Sequence, residues 1–312
     1  MKWIKKGLIF QPDGRFEWSK HYAQVPTPLE LDHCIRIFYT TRPDVKDGNH
    51  VSYCSFIDVE KDKPQNIIYI HNKPVLDLGE KGTFDEFGIM PGSFIKKDNL
   101  LYLYYTGWSR EIGVPYTTSI GLAISRDNGN SFNRISLGPL LSKNITDPFL
   151  INGPYVIEII DKFHMWYSSC YKWVNNEDRL DPIYKIKHAV SDNGINWIPD
   201  DYFCISEKIE NEAQNAPCIK FINGFYYMFF CYRKGTNFRN SQNGYKLSCA
   251  ISKDINNWKR IDDGIFNVND NISWDSEMKA YPRVIQINDR ILFFYNGNYF
   301  GKDGFGYAEL EF

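Results

Sequence analysis

The chain has 312 residues, of which 36 are Lys or Arg and 38 are Asp or Glu, giving a formal net charge of −2 at pH 7. This near balance argues against a nucleic-acid partner or an anionic membrane surface. Aromatic residues make up 16% of the chain, and aromatic side chains suit half-buried sheet surfaces, so the composition favours an all-β protein.

The cysteines and the start of the chain bear on the compartment. Seven cysteines, an odd number without a Cys-Xaa-Xaa-Cys pair, predict buried free thiols rather than a disulfide framework or a zinc site. The first ten residues, MKWIKKGLIF, lack a useful apolar segment and a cleavage site, and no stretch approaches the roughly 18 apolar residues of a membrane span. We expect a cytoplasmic protein that does not insert into a membrane.

In chain order, the first predicted strand is GLIF at residues 7–10, and a unit that recurs five times follows it. Each unit begins with a proline that we expect to open a short apolar inner strand, since a first strand residue needs no ladder N–H. The prolines, spaced by 65, 63, 63 and 65 residues, are Pro26, Pro91, Pro154, Pro217 and Pro282. An aromatic strand ends 13 or 14 residues later, at Tyr39, Tyr105, Tyr167, Phe230 and Tyr295.

Turn residues between these two segments predict a hairpin, and a third strand ends in polar turns such as SRDNGNSF at 125–132. Fourth strands are predicted at 74–77, 139–142, 202–205 and 264–267. The fifth unit ends with GYAELEF and lacks a fourth strand, which the segment at 7–10 would supply, removing an open edge. The sequence thus predicts one all-β domain over residues 1–312, a five-bladed β-propeller with four-stranded antiparallel blades.

The loops that lead into the inner strands of a propeller converge at one mouth of the central channel, so we expect site residues there. Five positions before the prolines stand His21, Glu86, Phe149, Glu212 and Glu277. Further acids in the same loops are Asp85, Asp147 and Asp275. Three positions after the aromatic landmarks stand Arg42, Trp108, Cys170, Arg233 and Asn298.

A ring of carboxylates with arginines and aromatic residues is typical of carbohydrate chemistry. Paired carboxylates cleave glycosidic bonds, and crowding separates their pKa values into acid and base roles. Arginine offers forked donors to carboxylates and phosphates. A structural interpretation stands beside this one: some of the acids would pair with Arg42, Arg233 or Lys279 as structural bridges, and His21 would be a simple loop residue.

Five segments resemble the five-bladed propeller superfamily of glycoside hydrolases, which includes families 43, 32 and 130. They are LYLYYTGW (101–108), IGLAISRDNGNSF (120–132), KIKHAVSDNGINW (185–197), WDSEMKAYP (274–282) and ILFFYNGN (291–298). They look most like an uncharacterised glycosidase-like branch associated with bacterial surface-polysaccharide gene sets. The resemblance implies that Asp147 matches the family's Asp-Pro element and Glu212 its acid glutamate. In the first blade, SKHYAQVP carries His21 where families 32 and 43 have an aspartate.

The leading hypothesis is a glycoside hydrolase-like enzyme that acts on a bacterial oligo- or polysaccharide. Glu212 would donate the proton, and Glu277 or Glu86 would be base, nucleophile or transition-state stabiliser. The residues expected to bind the sugar are His21, Arg42, Asp85, Trp108, Asp147, Arg233, Asp275 and Asn298. Two alternatives stay open: a phosphorylase or glycosyltransferase with phosphate held by Arg42, Arg233 and His21, or a non-catalytic carbohydrate-binding propeller.

No cofactor is required by these schemes. Clustered carboxylate oxygens in the channel could hold a cation such as Ca²⁺, but no loop motif demands a metal. The expected partner is a carbohydrate substrate, with neither nucleic acid nor membrane as a further partner. The oligomeric state stays open.

Overall fold

A computed structural model describes residues 2–46, 48, 50–177, 179–239, 243–262 and 274–311 of the chain. The strands form five antiparallel sheets of four strands each, which are the five blades of a propeller, as predicted. The chain begins with β1 (Lys2–Phe10). Blade one contains β2 (His21–Glu30), β3 (Ile35–Arg42), β4 (Tyr53–Val59) and β5 (Ile67–Ile70). Blade two contains β6 (Gly88–Lys97), β7 (Leu100–Ser109), β8 (Thr117–Ser125) and β9 (Asn133–Arg134).

The remaining three blades follow in the same order. Blade three contains β10 (Ile151–Ile159), β11 (Lys162–Asn176), β12 (Arg179–Ser191) and β13 (Ile198–Pro199). Blade four contains β14 (Ala213–Ile222), β15 (Phe225–Arg233), β16 (Lys246–Ser252) and β17 (Lys259–Arg260). Blade five contains β18 (Ala280–Ile287), β19 (Arg290–Asn296), the short helix α1 (Asn298–Gly301) before the next strand, β20 (Phe305–Glu311), and β1.

The ring closes through the two end strands. β1 pairs antiparallel with β20, Lys2 opposite Glu311 and Phe10 opposite Phe305, so the predicted closing strand is confirmed and is longer than residues 7–10. The indole of Trp3 on β1 packs 4.9 Å from the ring of Phe293 in its own blade. Side-chain packing therefore adds to the backbone hydrogen bonds that close the ring.

The repeated prolines lie inside the inner strands rather than at their first residues, which corrects the predicted strand starts. The pairing register shifts around the proline in every blade, between Gln24/Thr27, Pro91/Ser93, Asn152/Tyr155, Asn215/Cys218 and Ala280/Arg283. A bulge leaves a residue out of the ladder, and proline has no N–H to lose there. In four blades the residue before the proline has a positive φ: Val25, Gly153, Ala216 and Tyr281.

The fourth strands differ from those predicted. In blades two to four they are two-residue strands that directly follow the polar turns, and in blade one the fourth strand is β5. Two of the segments predicted as fourth strands make isolated bridges instead, Leu76 with Cys54 and Leu141 with Ile120. At 202–205 the contact with the third strand is a hydrogen bond from the Cys204 N–H to the Ile186 carbonyl. The segment predicted at 264–267 lies outside the described residues.

Hydrophobic side chains fill the seams between blades. Trp197 packs edge-on against Tyr104 of blade two, with ring centroids 6.0 Å apart, and Trp258 packs in the same way against Trp166 of blade three at 6.2 Å. All seven cysteines are buried and carry free thiols. In the described ranges, no helix combines the length and apolar character needed to cross a membrane.

Candidate functional site

A cavity of about 560 Å³ occupies the end of the central channel where the inner strands begin. The proline bulges turn the backbone at this point, and all four of the positive-φ residues beside them line the cavity wall. Aromatic side chains form much of the remaining wall: Tyr22, Trp108, Tyr116, Tyr184, Phe238, Tyr245 and Phe300. The charged lining residues are basic: Arg42, Arg110, Arg179, Arg233, Arg239 and Arg283. Within the described part of the chain, no Asp or Glu lines this cavity.

The three predicted aspartates are held inside their own blades instead of facing the cavity. Each accepts a hydrogen bond from the hydroxyl of the tyrosine that ends the aromatic strand of that blade. The pairs are Asp85 with Tyr105 at 2.8 Å, Asp147 with Tyr167 at 2.9 Å, and Asp275 with Tyr295 at 2.8 Å. All three carboxyl side chains are fully buried, and none of the three residues lines the cavity.

Each of these aspartates also pairs with a basic side chain from an outer strand of the same blade. Asp85 pairs with Arg134 at 2.7 Å, Asp147 with Lys187 at 3.2 Å, and Asp275 with Lys5. A buried carboxylate is stable only when paired and hydrogen-bonded, and both conditions are met here. The expectation that these acids face the channel mouth is therefore corrected. Of the basic residues considered from the sequence, Lys279 contacts Asp275, with its Nζ donating to the Asp275 backbone carbonyl at 2.9 Å.

Blade four contains the same kind of bridge in a modified form. Its aromatic landmark is Phe230, which has no hydroxyl, and the acid is Glu212 instead of an aspartate. The Glu212 carboxylate, fully buried, accepts two hydrogen bonds from Arg260 Nη1, at 2.8 and 3.0 Å, and one from the Lys208 N–H at 3.1 Å. The position of Glu212 is that of a structural ion pair, and its role as a proton donor stays a prediction.

The other two predicted glutamates lie apart from Glu212. Glu86 accepts a hydrogen bond from the Gly82 N–H within its own loop, at 2.8 Å. Glu277 is exposed, and its carboxylate accepts a hydrogen bond from the Tyr299 hydroxyl, which raises the pKa of that tyrosine. The structure does not bring the three glutamates together at the cavity, and their catalytic roles stay predictions.

Two further predicted residues also lie outside the cavity lining. The His21 imidazole is exposed and lies 2.8 Å from the Asp44 carboxylate. The Asn298 side chain is buried, and its oxygen accepts hydrogen bonds from the Glu277 and Met278 N–H groups at 2.8 and 3.1 Å. Asn298 therefore orders the loop that leads into β18.

Trp108 is one of three predicted residues that do line the cavity, together with Arg42 and Arg233. Its indole Nε1 donates a hydrogen bond to the Ser52 hydroxyl at 2.8 Å. Gly88 lies directly against the same ring, and a Cβ there would come within 1.8 Å of Nε1. The indole is thus held in one orientation at the cavity wall.

Arg233 is held rigidly although it is almost fully buried, with 2% of its surface exposed. Its guanidinium donates to the Pro182 carbonyl at 2.8 Å and to the Lys234 carbonyl at 2.9 Å, while Nε has no hydrogen-bond partner. Burial by itself would lower the pKa of Arg233, but the neighbouring hydroxyls of Tyr245 and Tyr184 outweigh burial and raise it. The group therefore carries a positive charge into the cavity.

Arg283 forms the floor of the cavity and was missed by the sequence analysis. Its Nη1 donates to the Pro282 carbonyl at 2.8 Å and to the Ala216 carbonyl at 3.3 Å, and its Nε donates to the Gly92 carbonyl at 3.1 Å. These carbonyls belong to blades five, four and two, so the side chain spans the channel. Burial lowers the pKa of this arginine.

Arg283 also lines a second cavity, of about 390 Å³, formed by later residues of the same inner strands. The side chain thus separates the two ends of the channel. A signal for it exists in the sequence: the residues directly after the five repeated prolines are Thr27, Gly92, Tyr155, Cys218 and Arg283. Arg283 is the one charged residue among these five equivalent positions in the sequence, and this difference could have drawn attention to it.

The sequence left a channel cation possible without requiring one, and the described ranges contain no assembled ligand set for it. Among those residues, no group of three or more His, Cys, Asp and Glu side chains is arranged to hold a metal ion. The acids that were expected to cluster are each paired within a separate blade.

Comparison with solved structures identifies the fold. The chain matches a putative glycosidase from Bacteroides thetaiotaomicron with a TM-score of 0.72 and 14% identity, over 98% of this chain and 96% of that chain. It matches a structure from the GH130 family of mannoside phosphorylases, which contains glycoside hydrolases that target beta-1,2 mannosidic linkages in Candida mannan, with a TM-score of 0.73 and 14% identity over 99% and 93% of the two chains. A thermostable family-43 glycoside hydrolase matches with a TM-score of 0.63 and 13% identity, over 97% and 93%. The fold is the five-bladed propeller of these glycoside hydrolases.

Comparison with known sequences gives the family. The chain is 34% identical over 315 residues to the uncharacterized protein MT1551 of Mycobacterium tuberculosis strain CDC 1551 / Oshkosh, with 100% of both chains covered. It is 33% identical over the same length to the uncharacterized protein Rv1502 of Mycobacterium tuberculosis strain ATCC 25618 / H37Rv, again with full coverage. The chain belongs to the family of these two mycobacterial proteins. No family model matches it.

Proposed function

We propose that this protein is a carbohydrate-active enzyme that makes or breaks a glycosidic bond in the channel-mouth cavity. The observation that carries the proposal is the cavity itself, which lies where the five inner strands of a glycoside-hydrolase fold converge and is lined by aromatic faces and hydrogen-bonding groups. Its volume of about 560 Å³ falls in the usual range for small-molecule sites. One end of a glycan chain would fit such a space.

The wall offers two kinds of contact for a sugar. Trp108, held by Ser52, presents a fixed aromatic surface on which the C–H face of a pyranose or furanose ring would pack. The hydroxyls of Tyr116 and Tyr184, 2.8 Å apart, supply hydrogen-bonding groups to sugar hydroxyls. Since both kinds of contact line one cavity, the sugar ring would be positioned from its face and from its edge.

Hydrolysis by a carboxylate pair is the first candidate reaction. It needs one carboxyl group on each side of the scissile bond, about 5–9.5 Å apart. Glu86 and Glu277, which lie in loops that lead into inner strands, are the candidates for base or nucleophile, and Glu212 stays the predicted proton donor. They would have to turn towards a bound sugar, while Glu212 is already neutralised by Arg260.

Glycosyl transfer is the second candidate, as a phosphorylase or a glycosyltransferase, and one observation favours it. Among the described residues, the cavity lining contains six arginines and no acid. In a phosphorolysis, the glycosidic C–O bond breaks, an oxygen of hydrogen phosphate bonds to the anomeric carbon, and the leaving oxygen takes the proton that the phosphate gives up. Guanidinium groups suit the phosphate in such a step, since they bind it with forked hydrogen bonds.

The test is an activity screen of the whole chain against oligosaccharides and nucleotide sugars, each with and without inorganic phosphate. Trp108→Ala and Glu212→Gln are assayed beside the wild type, and Ile112→Ala, at a fully exposed side chain, is the control. We expect turnover that Trp108→Ala lowers and Ile112→Ala does not. Dependence on phosphate or on a nucleotide sugar would select transfer over hydrolysis. Absence of turnover in every condition, with sugar binding retained, would select the non-catalytic alternative.

A further inference from the structure

Among the described residues, buried basic side chains pair with acids except at the cavity. In the described ranges, five Lys and Arg side chains are buried: Arg36, Lys185, Lys187, Arg233 and Arg283. The first three pair with acids, namely Asp58, Glu207 and Asp147. Among the described residues, Arg233 and Arg283 have no acidic partner, and both line the cavity.

An unpaired buried charge is costly, because desolvation of an ion in a protein interior amounts to several kcal/mol per charge. Backbone carbonyls offset part of this cost for both arginines, since they accept hydrogen bonds from each guanidinium. They do not neutralise the charge. One N–H group of each side chain, Nε of Arg233 and Nη2 of Arg283, has no hydrogen-bond partner.

Arg42 adds a third positive charge to the same wall. Its guanidinium lies 5.0 Å from the ring centroid of Tyr22, and its Nε also lacks a hydrogen-bond partner. Burial lowers the pKa of Arg42. Within the described part of the chain, no acid pairs with it. Among the described residues, three guanidinium groups thus line one cavity without an acidic partner.

We propose that Arg42, Arg233 and Arg283 form a seat for an oxyanion, a carboxylate or a phosphate ester carried by the sugar ligand. This inference rests on the proposed function and deepens it, since it gives the chemical class of the sugar. At the rim, and counting described residues alone, Arg179 and Arg239 share one acid, Asp181, so these three side chains together carry a net positive charge. A neutral glycan would leave the buried arginines uncompensated, whereas an anionic sugar neutralises them.

The experiment measures thermal stability against ligand concentration at constant ionic strength set with sodium chloride. The probes are inorganic phosphate, glucuronate, glucose 1-phosphate and glucose. A ligand that binds the folded state raises the melting temperature with the logarithm of its concentration. We expect the anions to raise the melting temperature of the wild type more than glucose does. Comparing the shift caused by phosphate with the shift caused by glucuronate distinguishes a phosphate ester from a carboxylate.

Three variants test which arginines cause the anion-dependent rise in melting temperature. Arg233→Lys keeps a positive charge but loses the forked donors, and Arg42→Met removes the charge at the wall; both should lose most of the anion-dependent shift. Arg36→Met is the matched control, since this arginine is buried but pairs with Asp58 in the outer part of blade one. It should lower the melting temperature without ligand and retain the full anion-dependent shift.

The outcomes separate this inference from the proposed function. If glucose stabilises the wild type as much as the anions do, or if no anion exceeds chloride, the oxyanion seat is refuted, and a neutral-sugar enzyme stays intact. If the anions stabilise the wild type but not the Arg42→Met variant, the seat stands even where the activity screen finds no turnover. If Arg233→Lys fails to fold, the comparison of the probes on the wild type and the Arg42→Met variant still test the oxyanion seat.

Discussion

The guanidinium group of Arg233 lies 3.5 Å from the centroid of the Phe238 ring, while backbone carbonyls bind its edge. The aromatic face and the carbonyls together leave the guanidinium little freedom to rotate. A rigid donor loses less entropy when it binds a ligand than a mobile one does. If Arg233 binds the proposed anion, Phe238 acts on that binding through the position of Arg233.

Phe238→Leu should weaken the binding of anionic probes. A cation–π contact of this kind contributes about 1 kcal/mol, which corresponds to roughly a fivefold change in Kd. Isothermal titration with glucuronate or phosphate measures it, and Phe221→Leu, at a half-exposed ring on blade four, is the control. Unchanged affinity in Phe238→Leu would mean that the carbonyls alone fix the guanidinium.

Glu212→Ala should destabilise the protein by about 1–3 kcal/mol, because it removes the acceptor of the hydrogen bonds from Arg260 Nη1 and the Lys208 N–H, while Arg260 Nε keeps its ion pair with Asp262. Chemical denaturation measures this cost. The double variant Glu212→Ala/Arg260→Met should cost less than the sum of the two single variants, because the two side chains interact directly. A Glu212→Gln protein that is as stable as the wild type but inactive would contradict the structural interpretation and support the predicted proton donor.

Gly88→Ala should displace the indole of Trp108, since the added Cβ would come within 1.8 Å of Nε1 and 2.1 Å of the Ser52 hydroxyl. We expect loss of sugar binding at the cavity together with a fall in stability of about 1–3 kcal/mol from overpacking. Tryptophan fluorescence and ligand titration measure the two effects. Gly113→Ala is the matched control, because a Cβ there meets nothing within 4 Å.

The stability of blade three should depend on pH through two histidines. His164 Nδ1 lies 3.0 Å from His188 Nε2, and His188 Nδ1 lies 2.7 Å from the Asp200 carboxylate. Burial lowers the pKa of His188 in spite of the opposing effect of Asp200. Burial, followed by the neighbouring His188, lowers the pKa of His164.

The sign of the effect follows from these directions. Between the lowered folded pKa values and the unfolded value of about 6.5, the unfolded chain binds more protons than the folded chain. The free energy of unfolding should therefore fall as the pH drops below about 6.5 and level off below the folded pKa values. Urea unfolding from pH 8 to pH 5 measures the slope. His188→Gln should flatten it, and His33→Gln, at an exposed histidine, should not.

The blade count and the ring closure could be predicted from the sequence because both rest on long-range repetition. Prolines at intervals near 64 residues and an unmatched last unit fix the number of blades and the strand that completes the ring. The fourth strands could not be predicted in the same way. A strand of two residues, such as Asn133–Arg134, carries no alternation of side chains that would set it apart from a turn.

The lining of the cavity was predicted in part, for a physical reason, and the roles of its residues in binding stay predictions. Residues just past the aromatic strands continue a regular alternation, so Arg42, Trp108 and Arg233 were placed correctly at the channel mouth. Acids in the preceding loops have no such constraint on their direction. Tyr105 and Arg134 draw the Asp85 carboxylate into the blade, and counting positions in a loop cannot reveal that partnership.

The pairing of β1 with β20 has a consequence for how the polypeptide is made. Phe10 and its partner Phe305 are 295 positions apart, and a ribosome needs roughly 15–60 s to cover that distance. For that interval, β1 emerges without the strand that it will pair with, and the indole of Trp3 has no Phe293 to cover it. The nascent chain therefore carries β1 as an unpaired, partly apolar strand until β20 has been synthesised.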